Sequence, residues 1–401
     1  MVSDPVTHPR HPITHYALCC GLGRTTAESI AELRAGRRGL RGVPFEVPFD
    51  AITGTLPGEL PPLPEPLQHQ DSRSARLGAL AYREMAEPVA EAIARYGADR
   101  IALILGTSTG GIDRTEAYHF RWFGSGAPAE PPPPGDYNYF DQHCFHAFAD
   151  TVAELSGIAG PRWVVSTACS SSAKVFSSAR RMLDLGLADA VLLGGVDGLC
   201  NTTVRGFNSL GVMANEPCRP FGAERPGMNV GEGAAFLLMQ REGKARAYLR
   251  GVGETSDAYH MSSPEPEGRG ALAAMRDALA QAGLDPSSVG YVNAHGTGTP
   301  YNDAAESKAV HELFGGQVPV VSTKAYTGHT LGACGAIEAI FGIVALEQGW
   351  VPAGVGSHPI DPDIQVRVPE HVEEHDLRYV ISNAFAFGGN NCSLLFERGE
   401  P

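Results

Sequence analysis

The chain has 401 residues, 43% of them apolar and 19% charged, with a formal net charge of −14. This length accommodates a large core or two fused domains, and the acidic balance lacks the basic surface that nucleic acid demands. No apolar run approaches the ~18 to 20 residues of a membrane span, and the 8 irregularly spaced cysteines read as reduced, cytoplasmic thiols rather than a disulfide framework.

In chain order, the start is polar and rich in Pro and His, so His8, His11 and His15 are expected in solvent and no export signal is expected. Gly21-Leu22-Gly23 lacks the third glycine and the acidic residue of a dinucleotide fingerprint. Leu56 to Pro66 is proline-rich and Ala127 to Asp136 contains Pro131 to Pro134 in a row. Such segments continue neither a helix nor a central strand and read as surface loops. Residues 75–95 and 172–186 read as helices, and Ile101–Leu105 and Ala190–Leu193 as buried strands that run into glycine. His143-Cys144-Phe145-His146 has ligand-type residues at i and i+3 but no partners at zinc spacing, so no metal is expected. Strands alternating with helices imply α/β layers around a largely buried sheet.

The chemistry centres on Cys169. Trp163-Val164-Val165-Ser166-Thr167 breaks into small residues and a helix-like stretch, which places Cys169 at the mouth of a helix. Helix-end N–H groups favour thiolate over thiol and can receive an oxyanion, so a lowered pKa is expected there. A cysteine is also common core filler. Val320-Val321-Ser322-Thr323 echoes the pattern, followed by Lys324, Gly328-His329-Thr330 and the helix-like Leu331 to Leu346. Two similar halves facing one site would explain the echo. Tyr291 to Pro300 is a strand running into a Gly/Thr turn, with His295 at its end as either a structural hydrogen-bonder or a catalytic group. Asn383 to Asn391 is a glycine-hinged aromatic turn.

These motifs together resemble the β-ketoacyl-acyl carrier protein synthases, the decarboxylating condensing enzymes of the thiolase superfamily. The resemblance rests on Thr-Ala-Cys-Ser at Cys169 and on His-Gly-Thr-Gly-Thr-Pro at His295 with Asp303 and Glu306 behind it. It also rests on Ser-Thr-Lys at Lys324 before Gly-His-Thr-Leu-Gly-Ala, on Cys218-Arg219-Pro220-Phe221 before Gly231-Glu232-Gly233, and on Phe387-Gly388-Gly389-Asn390. It implies a thiolase-like, five-layered αβαβα fold of two pseudo-symmetric halves, 1–240 with Cys169 and 241–401 with His295 and His329, usually paired as a dimer. It further implies that Cys169 accepts the acyl group, that the N–H groups of Cys169 and Phe387 form the oxyanion hole, and that His295 and His329 donate to the enolate left by malonyl decarboxylation. Lys324 would hold His329 and the charge balance, with Glu338 as ion partner. Thr297 and Thr299 would bind the carrier's phosphopantetheine arm. No cofactor of the chain's own is implied, because 4'-phosphopantetheine arrives on the acyl carrier protein with the acyl and malonyl substrates.

Histidine at the second position is similar to the elongating class, and Cys392 beyond the last turn reads as strand filler. Retention of Cys169 argues against a chain-length factor. That subunit stays the alternative, with a decarboxylase or acyltransferase using the same site, and a heterodimer with such a factor remains compatible. Four departures point to a specialised polyene (such as aryl polyene) or polyketide-type pathway. Ala386 replaces a glycine and would restrict Phe387 if φ > 0 is needed there. Thr109 falls where the family lines its acyl tunnel. The segment 201–218 is short, and Tyr16 to Gly23 lacks the usual Val-Val-Thr-Gly. Arg73, Arg76 and Arg205 are candidates for meeting an acidic carrier protein.

Overall fold

A computed structural model describes residues 10–123 and 137–400; the proline run at Ala127 to Asp136 and His8 lie outside them. The sheet is built from β1 (His11–Cys20), β2 (Ile101–Gly106), β3 (Arg162–Val165), β4 (Ala190–Asp197), β5 (Gly233–Gln240), β6 (Ala247–Ser256), β7 (Val289–Asn293), β8 (Val320–Val321), β9 (Tyr379–Ala386) and β10 (Asn390–Arg398). Their order across one 10-stranded sheet is β3-β2-β4-β5-β1-β6-β10-β9-β7-β8. The order from each edge is the same in both halves once five is added to each strand number. The strand senses repeat too: β2 is parallel to β3 and β4, as β7 is to β8 and β9, and the remaining pairs are antiparallel. The halves join where His11–Ile13 of β1 pairs with Ala247–Leu249 of β6.

Period-two alternation assigns the faces. On β2, Ala102 and Ile104 face an inner core, while Ile101, Leu103 and Leu105 face an outer one. Helices α1 (Arg73–Tyr82), α2 (Ala86–Tyr96) and α3 (Ala147–Ser156) cover the outer face of the first half. Helices α4 (Ser171–Asp184) and, further along, α7 (Cys334–Gln348) fill the space between the halves. The far face is covered by α5 (Arg269–Ala282), which precedes α6 (Pro300–Phe314) in the chain. These are the five layers of the expected α/β fold. Every residue of helix α7 from Cys334 to Leu346 is buried, and this stretch is apolar all round except at Glu338. The stretch Leu331–Gln348 is long and apolar enough to span a membrane by composition, but 89% of it is buried inside the protein.

Local departures have physical causes. The helix expected over 75–95 is interrupted by a 3-10 turn at Arg83–Met85. Pro88 has no N–H for a carbonyl one turn back, and it sits in the first turn of α2, where none is needed. Leu331–Ala333 is likewise a 3-10 turn before α7 begins. Leu56 to Pro66 lacks regular structure until Glu65, although Leu56 and Leu63 anchor it in the outer core. His11 is buried rather than solvated, because β1 begins there, and its Nε2 meets Asp184 at 2.6 Å. His15 is half-buried beside Thr14.

Candidate active site

The two echoed corners meet in the middle of the molecule. At the first, β3 ends at Val165 and α4 begins at Ser171, so Cys169 stands just outside the helix. Ala168 holds a left-handed φ of 52°, a conformation that needs support from its surroundings. The support is dense: its carbonyl accepts from the Ser108 and Ser171 hydroxyls, and the Thr167 N–H donates to Ser171 Oγ. At the second corner, β8 leads through Lys324–Thr327 and Gly328 to His329. The Ala336 N–H at the head of α7 donates to Ser172 Oγ on α4 at 2.9 Å, tying the corners together.

His329 Nε2 lies 3.0 Å from Cys169 Sγ. Its Nδ1 accepts from the Leu331 N–H at 3.2 Å. A backbone N–H can only donate, so the neutral ring carries its proton on Nε2, aimed at the sulfur. The His295 ring packs 5.2 Å from that of His329, nearly perpendicular to it. A ligand atom of each of Cys169, His295 and His329 falls within 4.8 Å of the other two. Burial, then the Lys324 cation, holds both histidines well below the usual imidazole range, so both are neutral.

His295 is positioned from behind. The His295 and Gly296 N–H groups donate to Glu306 at 2.8 and 2.7 Å, and Asn383 donates to the same carboxylate. Asp303 accepts from the Gly298 and Phe221 N–H groups. The two acids of α6 therefore hold the His295–Gly298 turn by its backbone. Gly296 has a φ of 34°, and a Cβ there would lie 2.5 Å from Ser322 Cβ. Only glycine fits.

The lowered pKa expected for Cys169 is corrected. Burial pushes its thiol up to about 11, against the pull of the Lys324 cation and the N–H groups of Phe387 and Cys169. The cation and these N–H donors do act on the sulfur, but desolvation outweighs them. Lys324 is fully buried and bonded to Glu338 Oε1 at 2.5 Å. Its contact is to Glu338 rather than His329, and it acts on both histidines through its charge. Burial opposes that charge, yet the facing Glu338 carboxylate holds the ammonium above its ordinary pKa.

A cavity of about 430 Å³ leads to these groups, lined among others by Phe207, Ser262, Thr297, Thr299, Tyr301 and Phe387. The Thr297 and Thr299 hydroxyls are 2.8 Å apart on its wall. The half-buried Phe387 ring packs 5.9 Å from Phe207. Thr109 does not line this cavity: it is buried, and its hydroxyl donates to Asp197 Oδ1 at 2.6 Å. Ala386 ends β9 opposite Asn390 and is not among the residues with positive φ; Gly388 and Gly389 are, at 82° and 73°. The methyl of Ala386 therefore restricts nothing in this conformation. Arg73 and Arg76 are bound to Glu232 and Asp71, while the exposed Arg205 bonds Asn201 and the Glu46 carbonyl. His143 bonds Thr115 and joins no metal-binding group among the described residues.

Sequence reasoning missed Asp197. Asp197 closes β4 and accepts from the Thr107 and Thr109 hydroxyls and from the N–H groups of Ser108, Thr109 and Ala333. It clamps the loop after β2 to the head of α7. A carboxylate ending the apolar run Ala190–Val196 was the available signal, since acids are rarely buried unless paired.

Residues 78–245 match the family described as beta-ketoacyl synthase, N-terminal domain, and residues 246–358 match its C-terminal domain. Nodulation protein E of Rhizobium sp. (strain N33) is 32% identical, over 96% of this chain and 98% of its own. A 3-oxoacyl-[acyl-carrier-protein] synthase 2 of Staphylococcus aureus (strain COL) is 32% identical over 83% and 85%. A solved ketosynthase (ApeO), in complex with its chain length factor (ApeC), from Xenorhabdus doucetiae superposes with a TM-score of 0.90 at 36% identity, covering 99% of this chain and 100% of that one. The chain thus belongs to the β-ketoacyl synthase family, the acyl-transferring condensing enzymes of thiolase-like fold.

Proposed function

We propose that the protein extends an acyl chain by two carbons, taking acyl and malonyl groups from acyl carrier protein, as the catalytic subunit of a polyene- or polyketide-type synthase in the cytoplasm. The observation that carries this reading is the convergence of Cys169, His295 and His329 at a cavity of about 430 Å³ that Thr297 and Thr299 also line.

In the first half-reaction the Cys169 sulfur attacks the carrier thioester. The Cys169 S–acyl bond forms, the thioester bond to pantetheine breaks, and the carrier thiol leaves with a proton. The Phe387 and Cys169 N–H groups receive the oxyanion. The His329 Nε2–H and the Lys324 charge stabilise the sulfur as an anion. In the second half-reaction a malonyl thioester loses carbon dioxide. Its enolate oxygen is held by N–H donors of the two neutral histidines, and its carbon attacks the acyl group as the Cys169 thiolate departs. Thr297 and Thr299 hold the arm.

The likeness to a ketosynthase solved with a chain length factor supports pairing with a related subunit. The alternative, that this chain itself measures length for a partner, is disfavoured by Cys169 and its intact surroundings. The test is intact-mass analysis after mixing with acyl carrier protein substrates. Wild type gains one acyl group at Cys169 and discharges it when malonyl carrier protein is added. His295→Ala should load but not discharge. No loading of wild type at Cys169 would overturn the proposal.

A further inference from the structure

Beside the cavity lies a set of groups that this reaction scheme does not use together. Cys334 opens α7, and its thiol donates to the Cys169 carbonyl at 3.2 Å. A ring nitrogen of His295, the Cys334 sulfur and a carboxylate oxygen of Glu338 lie within 4.8 Å of one another, with all three residues buried. Two polar atoms in this set lack partners: His295 Nδ1 and Glu338 Oε2 accept or donate no hydrogen bond. Buried atoms of this kind are normally satisfied, and the exceptions call for an occupant.

We propose that Cys334, His295 and Glu338 form a zinc site, and that zinc bound there stops condensation while sparing the loading of Cys169. The donor set of thiolate, imidazole and carboxylate suits zinc and excludes magnesium and calcium, which take oxygen ligands alone. Zinc bonds of about 2.0–2.3 Å at tetrahedral angles place ligand atoms about 3.3–3.6 Å apart. Side-chain shifts of up to about an ångström would therefore close the set around one ion, with water in the fourth position. Binding breaks the Cys334 S–H bond and releases that proton to solvent, with no electron transferred. Glu338 keeps Lys324 on Oε1 and offers the ion Oε2, so the buried ion pair survives.

Cys169, His295 and His329 form a competing set whose ligand atoms also lie within 4.8 Å of one another. It is less free, because His329 engages Cys169 through Nε2 and the Leu331 N–H through Nδ1. The effect on turnover rests on the proposed function: an ion on His295 ties its ring to Cys334 and Glu338, away from the enolate oxygen it must reach, whereas the binding itself does not rest on that function.

The experiment is equilibrium dialysis against zinc alone, followed by metal analysis. Cobalt is the spectroscopic substitute, since thiolate ligation gives it a near-ultraviolet charge-transfer band. Wild type and Cys169→Ala are expected to hold about one ion per chain. Cys334→Ala, and Cys334→Ser, which retains a hydrogen-bonding group of similar size, should bind at least about tenfold more weakly. Without metal, both Cys334 variants should condense near the wild-type rate, and with zinc they should escape its inhibition. Equal binding in the Cys334 variants, loss of binding in Cys169→Ala, or no zinc on wild type would overturn the site. Zinc that blocked loading along with condensation would overturn the selective arrest. Metal content is read without turnover, so a protein that never condensed would count against the proposed function and leave the zinc result standing.

Discussion

At the scale of single residues, burial sets the reactivity of the nucleophile. With Cys169 pushed up to about 11, the resting group is a thiol throughout the neutral range. Its alkylation by iodoacetamide, followed by intact mass, should accelerate about tenfold per pH unit from about 7 to 10. A plateau below pH 8 would show a thiolate already formed. Lys324 and Glu338 make a buried pair whose loss leaves a lone charge. Lys324→Met should cost about 3–5 kcal/mol. The sign of its pH dependence is fixed: unpaired Glu338 has its folded-state pKa raised further by burial, so the loss is smallest where Glu338 is protonated and grows as pH rises. Thermal melts at pH 6 and 8.5 should show the larger drop at 8.5. Thr109→Val removes a hydroxyl from buried Asp197. It should cost about 1–3 kcal/mol and leave the distribution of product chain lengths unaltered, which product mass spectra would check.

Among elements, the two central helices decide whether the corners meet. A Cβ on Gly335 would lie 2.6 Å from the Ala173 backbone nitrogen, so α4 and α7 touch through glycine. Gly335→Val should destabilise by about 1–3 kcal/mol through overpacking and separate His329 from Cys169. The measurable result is slower loading as well as a lower melting temperature. Legibility from sequence follows the same lines. Cys169 was readable from a short strand-to-helix motif whose geometry is local, whereas the roles expected of His295, Lys324, His329 and Phe387 came from the resemblance of whole motifs. The bond of Thr109 to Asp197, a residue 88 positions away, was not legible in any local pattern. The Cys169 pKa was misjudged for a related reason, since desolvation is a property of the assembled layers and not of the helix end. The single helix expected over 75–95 failed locally, at Pro88.

For the molecule as a whole, the repeat of Val-Val-Ser-Thr is the visible trace of a duplicated five-strand unit. Each unit delivers one reactive corner at the end of its edge strand, β3 or β8. The corners face one another only because α4 and α7 share the middle layer. Alternation of strands with helices announced the layered α/β class, but the joining of the halves through β1 and β6 did not show in any local pattern. Burial of His11 followed from that joining and escaped notice with it.

The central claim is that this paired arrangement makes a carbon–carbon bond. It is tested most directly by mixing the protein with acyl and malonyl carrier proteins and determining the mass of the carrier-bound product. The account predicts a β-ketoacyl chain longer by two carbons from wild type and none from Cys169→Ala. An unextended acyl chain from wild type, or normal extension by Cys169→Ala, would contradict it.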